Sequence, residues 1–539
     1  MKKSVTVLIC FIAMIAIPAA LMGQGAYVVG DTQAGLLGLG TWKSATTVDV
    51  DGDGTEEIIA ASWNSTTRNV YLLQQNGISL TATVIGTPGA EANRLYGGAA
   101  GDLDNDGNLD YVFGTRESTP NGLIYRLEYT GSGDIADPNN WELSKIDSML
   151  NPGVQYDIIE VANIDGDDED EVLYSGTPRG LGATDTPQPI AILNFNGIGF
   201  DRVAEIPAAA EDVGGFGYVI AGMDFDNDGK KEIYAVNTDW HDVVGQDLVP
   251  RIYKYEDDGT GNWTTVWSTR LPLEFQNTWA PLAAADLDND GRGEVVWGPV
   301  NNFGGGLQPN PERIVVFETV GDGTDGMGID NGDGTWSANA QWTITDQNDF
   351  NLRPFRWLIH DIDNDGAQEI VSALRVGDGI NIYSVDDVPD NGGGTETWSL
   401  DYSGVTGTHY DLAIIDNTVY GIRDNGDVTP VTWDVNAAIE DDISNVVSDY
   451  SLEQNYPNPF NPTTSISYSI PTNDVVSLKI YNIMGQEVRT LVNASQAAGT
   501  HTIQWDGLNS NGQRVASGVY LYVMKAGKFV QSKKMTLMK

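Results

Sequence analysis

The chain has 539 residues, with 29 Lys+Arg against 76 Asp+Glu, a formal net charge of −47, 62 Gly and one Cys. A surface this negative repels nucleic acid and anionic membranes, so neither is an expected partner. The length exceeds what a single core supports, and 14 Trp with 22 Tyr are too many for a disordered acidic tail, so two or more turn-rich domains, all-β in class, are expected.

At the N-terminus, Lys2 and Lys3 precede an apolar run from Val5 to Ile17, followed by Pro18-Ala19-Ala20 and Gly23. This is the pattern of an export signal, expected over residues 1–23 with cleavage between about residues 20 and 25. The run is short for a bilayer span and no second one follows, so no transmembrane segment is expected in the mature protein. Cys10 lies inside the run, preceded by Ile9 instead of the small residue a lipid anchor needs. Once the signal is removed no Cys remains, and an exported chain without disulfides needs another staple for its loops.

Internal repetition supplies one. Carboxylates or their amide recur at positions 1, 3, 5 and 9 of six segments: Asp49, Asp51, Asp53 and Glu57; Asp102, Asp104, Asp106 and Asp110; Asn163, Asp165, Asp167 and Glu171; Asp224, Asp226, Asp228 and Glu232; Asp286, Asp288, Asp290 and Glu294; Asp361, Asp363, Asp365 and Glu369. Oxygen-only ligands at this spacing suit a hard cation, and Ca²⁺ tolerates loose geometry better than Mg²⁺, so up to six Ca²⁺ are expected. Position 4 is always Gly or Asn and position 6 is Gly in five copies, with Asp168 in the third; these are the residues a tightly wrapped loop demands. Position 2 is always apolar, and position 7 varies from Glu169 to Lys230, so a backbone carbonyl is the expected ligand there. An EF-hand would need Glu at position 12 and flanking helices. Here position 12 is Ala60, Phe113, Tyr174, Ala235, Trp297 or Ser372, and short apolar strands flank each loop.

The segments start 53, 61, 61, 62 and 75 residues apart, which predicts a repeated four-stranded unit and hence a β-propeller. The longest interval has its extra residues in Gly321 to Thr335, expected as a surface loop. A seventh unit, with a hairpin over residues 410–422 and a strand near Thr429 to Trp433, is one strand short. Ala26 to Val29 is expected to complete it, giving seven blades over residues 26–440. The six loops resemble the VCBS/FG-GAP propeller repeats also found in integrin α-subunits. In that family the Asp-rich loops bind Ca²⁺, which would make the carboxylates above its ligands.

After a linker at 441–450, residues 451–539 carry a net charge of +4, against −51 for the preceding 450. The prolines at 457, 459 and 462 exclude helix and central strand there. Strands predicted over 464–470, 475–483, 499–505 and 518–525 indicate a small β-sandwich. Asn455 to Thr464, Ile480 to Val488, Trp505-Asp506-Gly507, Val515 to Tyr520 and Lys533-Lys534-Met535 resemble the type A C-terminal sorting domain of type IX secretion cargo, with its FlgD-like Ig fold. That resemblance implies a Gram-negative host, passage through the periplasm, the secretion machinery as a partner, and delivery to the surface or the medium.

Two functions compete for the propeller: a glycan- or protein-binding adhesion module, and an extracellular polysaccharide lyase or hydrolase. None of the four His lies in a zinc or nucleophile motif, so no catalytic residue is assigned. Loops joining second to third strands should open opposite the metal loops. They carry Trp63, Arg116, Arg179, Trp240, His241, Phe303 and Arg375, types suited to stacking on sugars or gripping an anion.

Overall fold

The computed structural model describes residues 26–538 apart from 64–67, 90–91, 93, 117–122, 149–153, 168, 179–187, 211, 213–214, 238–249, 272–280, 299–312, 322, 344–353, 375–377, 386–387, 389–397, 436–449, 472–473 and 497–498. Apart from one short 3-10 turn at Pro138–Asn140, every regular element among them is a strand, and they form two compact units, Tyr27–Trp433 and one containing Asp434–Lys539. The expected export signal and most of the linker lie outside the described residues.

The larger unit contains seven four-stranded antiparallel arrays. Their first strands are Thr46–Val48, Arg94–Gly101, Val154–Ala162, Phe216–Met223, Leu282–Ala285, Pro354–His360 and His409–Ile415. Each contacts the next and the last contacts the first, which closes the ring of a seven-bladed propeller. Blades 2 and 3 are further joined by the pair Gln155 and Arg116. Blade 7 takes its outermost strand, Ala26–Val29, from the start of the chain, where Tyr27 packs its ring on Tyr402 and Trp433.

Position in the blade explains the residue pattern. Second strands are covered on both faces and read as apolar runs after their first residue, unbroken in Glu57–Ala61 and Glu294–Trp297 and interrupted only by Ser372 in Glu369–Leu374; every residue of the three is buried. Outer strands such as Phe200–Ile206 face solvent on one side, so burial alternates along them. Core residues interleave between neighbours: Ile59 and Leu72 of blade 1 pack with Leu95, Phe113 and Tyr125 of blade 2.

The segment Gly321 to Thr335 is more than the surface loop expected. Its far end forms a hairpin between Ile329–Asp330 and Trp336–Ser337, Met327 is fully buried, and Thr269 Oγ1 of blade 4 donates to the Trp336 carbonyl at 2.8 Å. Met327 and Trp336 supply the apolar surface that ties a Gly- and Asp-rich insertion to the wall between blades 4 and 5.

In the smaller unit a three-stranded sheet, Ser451–Leu452, Thr464–Ile470 and Gly499–Trp505, and a four-stranded sheet share a core that includes Ile466, Tyr468, Leu478, Trp505, Tyr522 and Met535. The second sheet runs in the order Glu487–Gln496, Asp474–Asn482, Gly518–Ala526, Phe529–Leu537. Its first and last strands escape the sequence reading because their exposed faces are interrupted by polar residues. The proline segment is held by Asn455, whose Nδ2 donates to the Pro457 carbonyl and to Thr464 Oγ1.

Candidate metal centres

Each Asp-rich segment joins the first and second strands of blades 1 to 6, and local geometry folds it around its own carboxylates. The residue at position 4 has a positive φ in all six loops, from 51° at Asn105 to 83° at Gly166, and the five position 6 glycines lie between 82° and 101°. Only Gly, and less readily Asn, holds such backbone without strain. The amide at position 7 donates to the position 5 carboxylate in every loop at 2.7 or 2.8 Å. In loops 1, 2, 5 and 6 the position 6 amide donates to the position 1 carboxylate at 2.9 to 3.1 Å. The apolar residue at position 2 is buried in five loops, while Phe225 is half-buried.

Position 9 opens the second strand. Glu57, Asp110, Glu171, Glu232, Glu294 and Glu369 are each at most 4% exposed. Each accepts from the amide of position 2 seven residues earlier, from 2.5 Å at Leu287 to 3.2 Å at Val50. Burial is the main cause that raises their affinity for protons, to about 7 for Glu57, 8 for Glu171 and Glu369, and 9 for Glu294, with the neighbouring aspartates adding to it.

The donor set fits a hard cation. Oxygens of Asp49, Asp51 and Asp53, of Asp102, Asp104 and Asp110, of Asp165, Asp167 and Glu171, and of Asp224, Asp226 and Glu232 lie within 4.8 Å of one another in each group. Several are buried without any hydrogen-bond partner: Glu171 Oε1, Glu294 Oε1, and Oδ1 of Asp104, Asp224, Asp286 and Asp361. A buried oxygen left unpaired costs free energy that a bound cation would recover. Asn163 keeps its oxygen turned to the loop, accepting from Gly166 N at 2.8 Å, so the third site has the same shape with one charge fewer.

Two members of these sites were not legible as such in the sequence. Arg126 and Lys254 sit on third strands, where nothing in a one-dimensional pattern marks them, yet both reach the loop carboxylates.

On the opposite face Trp42 packs against Trp63, Tyr96, Phe355 and Tyr410, with ring centroids 4.7 to 5.6 Å apart. Trp63 is half-buried, donates its indole N–H to the Tyr96 hydroxyl, and carries the Arg94 guanidinium 5.2 Å above its ring. Deeper in the ring, Asp411 accepts from Ser44 N and Ala45 N at 2.7 and 2.9 Å and pairs with Arg356 at 3.1 Å. Arg116 ends a blade 2 strand beside Gln155. Arg179, Trp240, His241, Phe303 and Arg375 lie outside the described residues.

The FG-GAP-like repeat family matches residues 37–113 and 224–297, and the FlgD Ig-like domain family matches residues 463–528. The chain carries FG-GAP-like repeats and a FlgD Ig-like domain. No curated protein matches it. Among solved structures, PorZ, an essential bacterial surface component of the type IX secretion system of Porphyromonas gingivalis, is similar over 90% of this chain at 14% identity and a TM-score of 0.38. The chain spans 58% of the length of that structure. BBS1N in complex with ARL6DN is similar over 76% of this chain and 98% of its own, at 12% identity and a TM-score of 0.44. No helix among the described residues is long and apolar enough to cross a membrane.

Proposed function

We propose that the chain is a secreted or cell-surface propeller, held by calcium, that binds a glycan or protein and is exported by type IX secretion through residues 451–539. The observation that carries the calcium reading is the sixfold recurrence of a buried position 9 carboxylate beside converging aspartates, with unpaired buried oxygens in five of the six loops. The carboxylates at positions 1, 3, 5 and 9 would hold the ion, which would neutralise charge that the chain otherwise crowds together. Each such ion would offset two charges, so that occupation of all six loops would bring the formal charge from −47 to −35. The binding reading is supported by Trp63, which is half-buried at the edge of an otherwise buried aromatic cluster around Trp42 on the face away from these loops and is of a type suited to stacking on a sugar ring.

The direct test is a glycan array read with the full-length chain for retention and for cleavage, in calcium and in chelator. Retention in calcium that is lost in chelator, with no new sugar ends, is the expected outcome; release of shorter or unsaturated sugars would replace the binding module with an enzyme. For export, residues 451–539 fused to a periplasmic reporter should carry it to the surface of a type IX-competent host. Retention of that fusion in the periplasm, with a known cargo exported in parallel, would remove the sorting role.

A further inference from the structure

The geometry points to a split among the six loops: in blades 2 and 4 a buried side-chain cation, Arg126 or Lys254, takes the place of the metal, leaving at most four calcium sites. This rests on the calcium reading of the loops. The strand register isolates the two residues. Arg126 faces Val112 and Lys254 faces Tyr234, each two residues beyond the position 9 carboxylate. At the same register the other blades carry Leu72, Ile192, Val316 and Ile382, none of which has a polar atom to offer.

Both cations are buried, Arg126 at 8% exposure and Lys254 at 0%. Arg126 bonds Asp104, the position 3 ligand, at 2.6 Å, grips both oxygens of Asp110 at position 9, and pairs with Glu128 at 3.2 Å. Lys254 Nζ lies 2.5 Å from Asp226 at position 3, 3.4 Å from Glu232 at position 9, 3.1 Å from Glu256, and 3.4 Å from Asp325 of the blade 5 insertion. In each case the two carboxylates a metal would most need are already engaged by a fixed positive charge. A divalent ion placed among them would meet that charge at a few ångströms in a poorly screened interior.

Asp104 Oδ1 and Asp224 Oδ1 stay unpaired, so the oxygen cluster itself survives in both loops; what the cation removes is one unit of its negative charge and the free access of a metal to positions 3 and 9. Arg292 does not act this way in loop 5. Its side chain is 30% exposed and reaches Asp290 at position 5 at 3.7 Å and Glu318 at 3.6 Å. The propeller is thus stapled in two chemistries, one that depends on the calcium supply and one built into the chain.

The test is the calcium stoichiometry of the full-length chain by native mass spectrometry and by equilibrium dialysis with radiolabelled calcium. At most four ions are expected in the unaltered chain. Arg126→Leu and Lys254→Leu, which install the residue type found at this register elsewhere, should each add one ion, and the double variant two. Six ions in the unaltered chain would overturn the inference while leaving the calcium reading intact, as would a folded double variant with no added ion. No ion in any of the chains would overturn both. If a variant does not fold, the count on the unaltered chain decides alone.

Discussion

If calcium holds the propeller as proposed, stripping it from the full-length chain should lower the melting temperature by about 10 °C or more at pH 8, and by far less at pH 5. Two effects add. At a free calcium of a hundred times Kd, each site contributes about 2.7 kcal/mol by mass action, and a few such sites shift a large domain by roughly this amount. The second effect is the titration of position 9. In the metal-free chain Glu57, Glu171, Glu294 and Glu369 have their affinity for protons raised by burial, to about 7, 8, 9 and 8. A carboxyl raised in the folded state costs nothing below its unfolded value near 4.5, and stability falls as pH rises through the folded values, because the unfolded chain releases the proton first. Metal-free protein is therefore most stable near pH 5 and weakest above pH 8, where calcium binds best because protons no longer compete. Thermal melts of metal-stripped and calcium-loaded protein at the two pH values check this. Equal melting temperatures at pH 8 would end the calcium reading.

Asp411→Ala costs about 3–5 kcal/mol without touching any metal loop. Asp411 is fully buried on the first strand of blade 7, where it receives the amides of Ser44 and Ala45 and neutralises Arg356. Truncation orphans two donors and leaves a guanidinium in the interior without its counter-charge. The double variant Asp411→Ala with Arg356→Leu removes the stranded charge and should recover 1–3 kcal/mol relative to additive losses, on the order expected for a contacting pair. Urea midpoints for the four chains of this cycle measure it, and a single-variant loss under about 1 kcal/mol would show that the pair is solvated.

The shape of the Asp-rich loops was legible because its demands are local. Gly or Asn at position 4 and Gly at position 6 are dictated by backbone sign, and the carboxylates repeat in a fixed count of residues. The completion of blade 7 by Ala26–Val29 was legible too, because a four-stranded period left one strand owing. Arg126 and Lys254 were not, since a cation on a third strand acquires meaning only when the pairing with Val112 and Tyr234 is known. Trp42 and Asp411 were missed for a similar reason: they come together across the ring from segments with no shared pattern. Met327 was hidden by its surroundings, a single apolar residue in a run of Gly and Asp that reads as solvent-exposed.

The strand swap that closes blade 7 governs when the molecule can finish folding. Thr32 and Thr429 share a hydrogen bond across 397 positions, and Ala26–Val29 pairs with Val428–Asp434. A chain that emerges N-terminus first, from the ribosome or across a membrane, presents its first strand long before the partner strand, and loops of this length close late. Until residue 434 has emerged the blades form an open arc whose two ends expose unpaired edges. A chain in that state can still be threaded or unravelled, whereas one whose ends have met is locked as a circle.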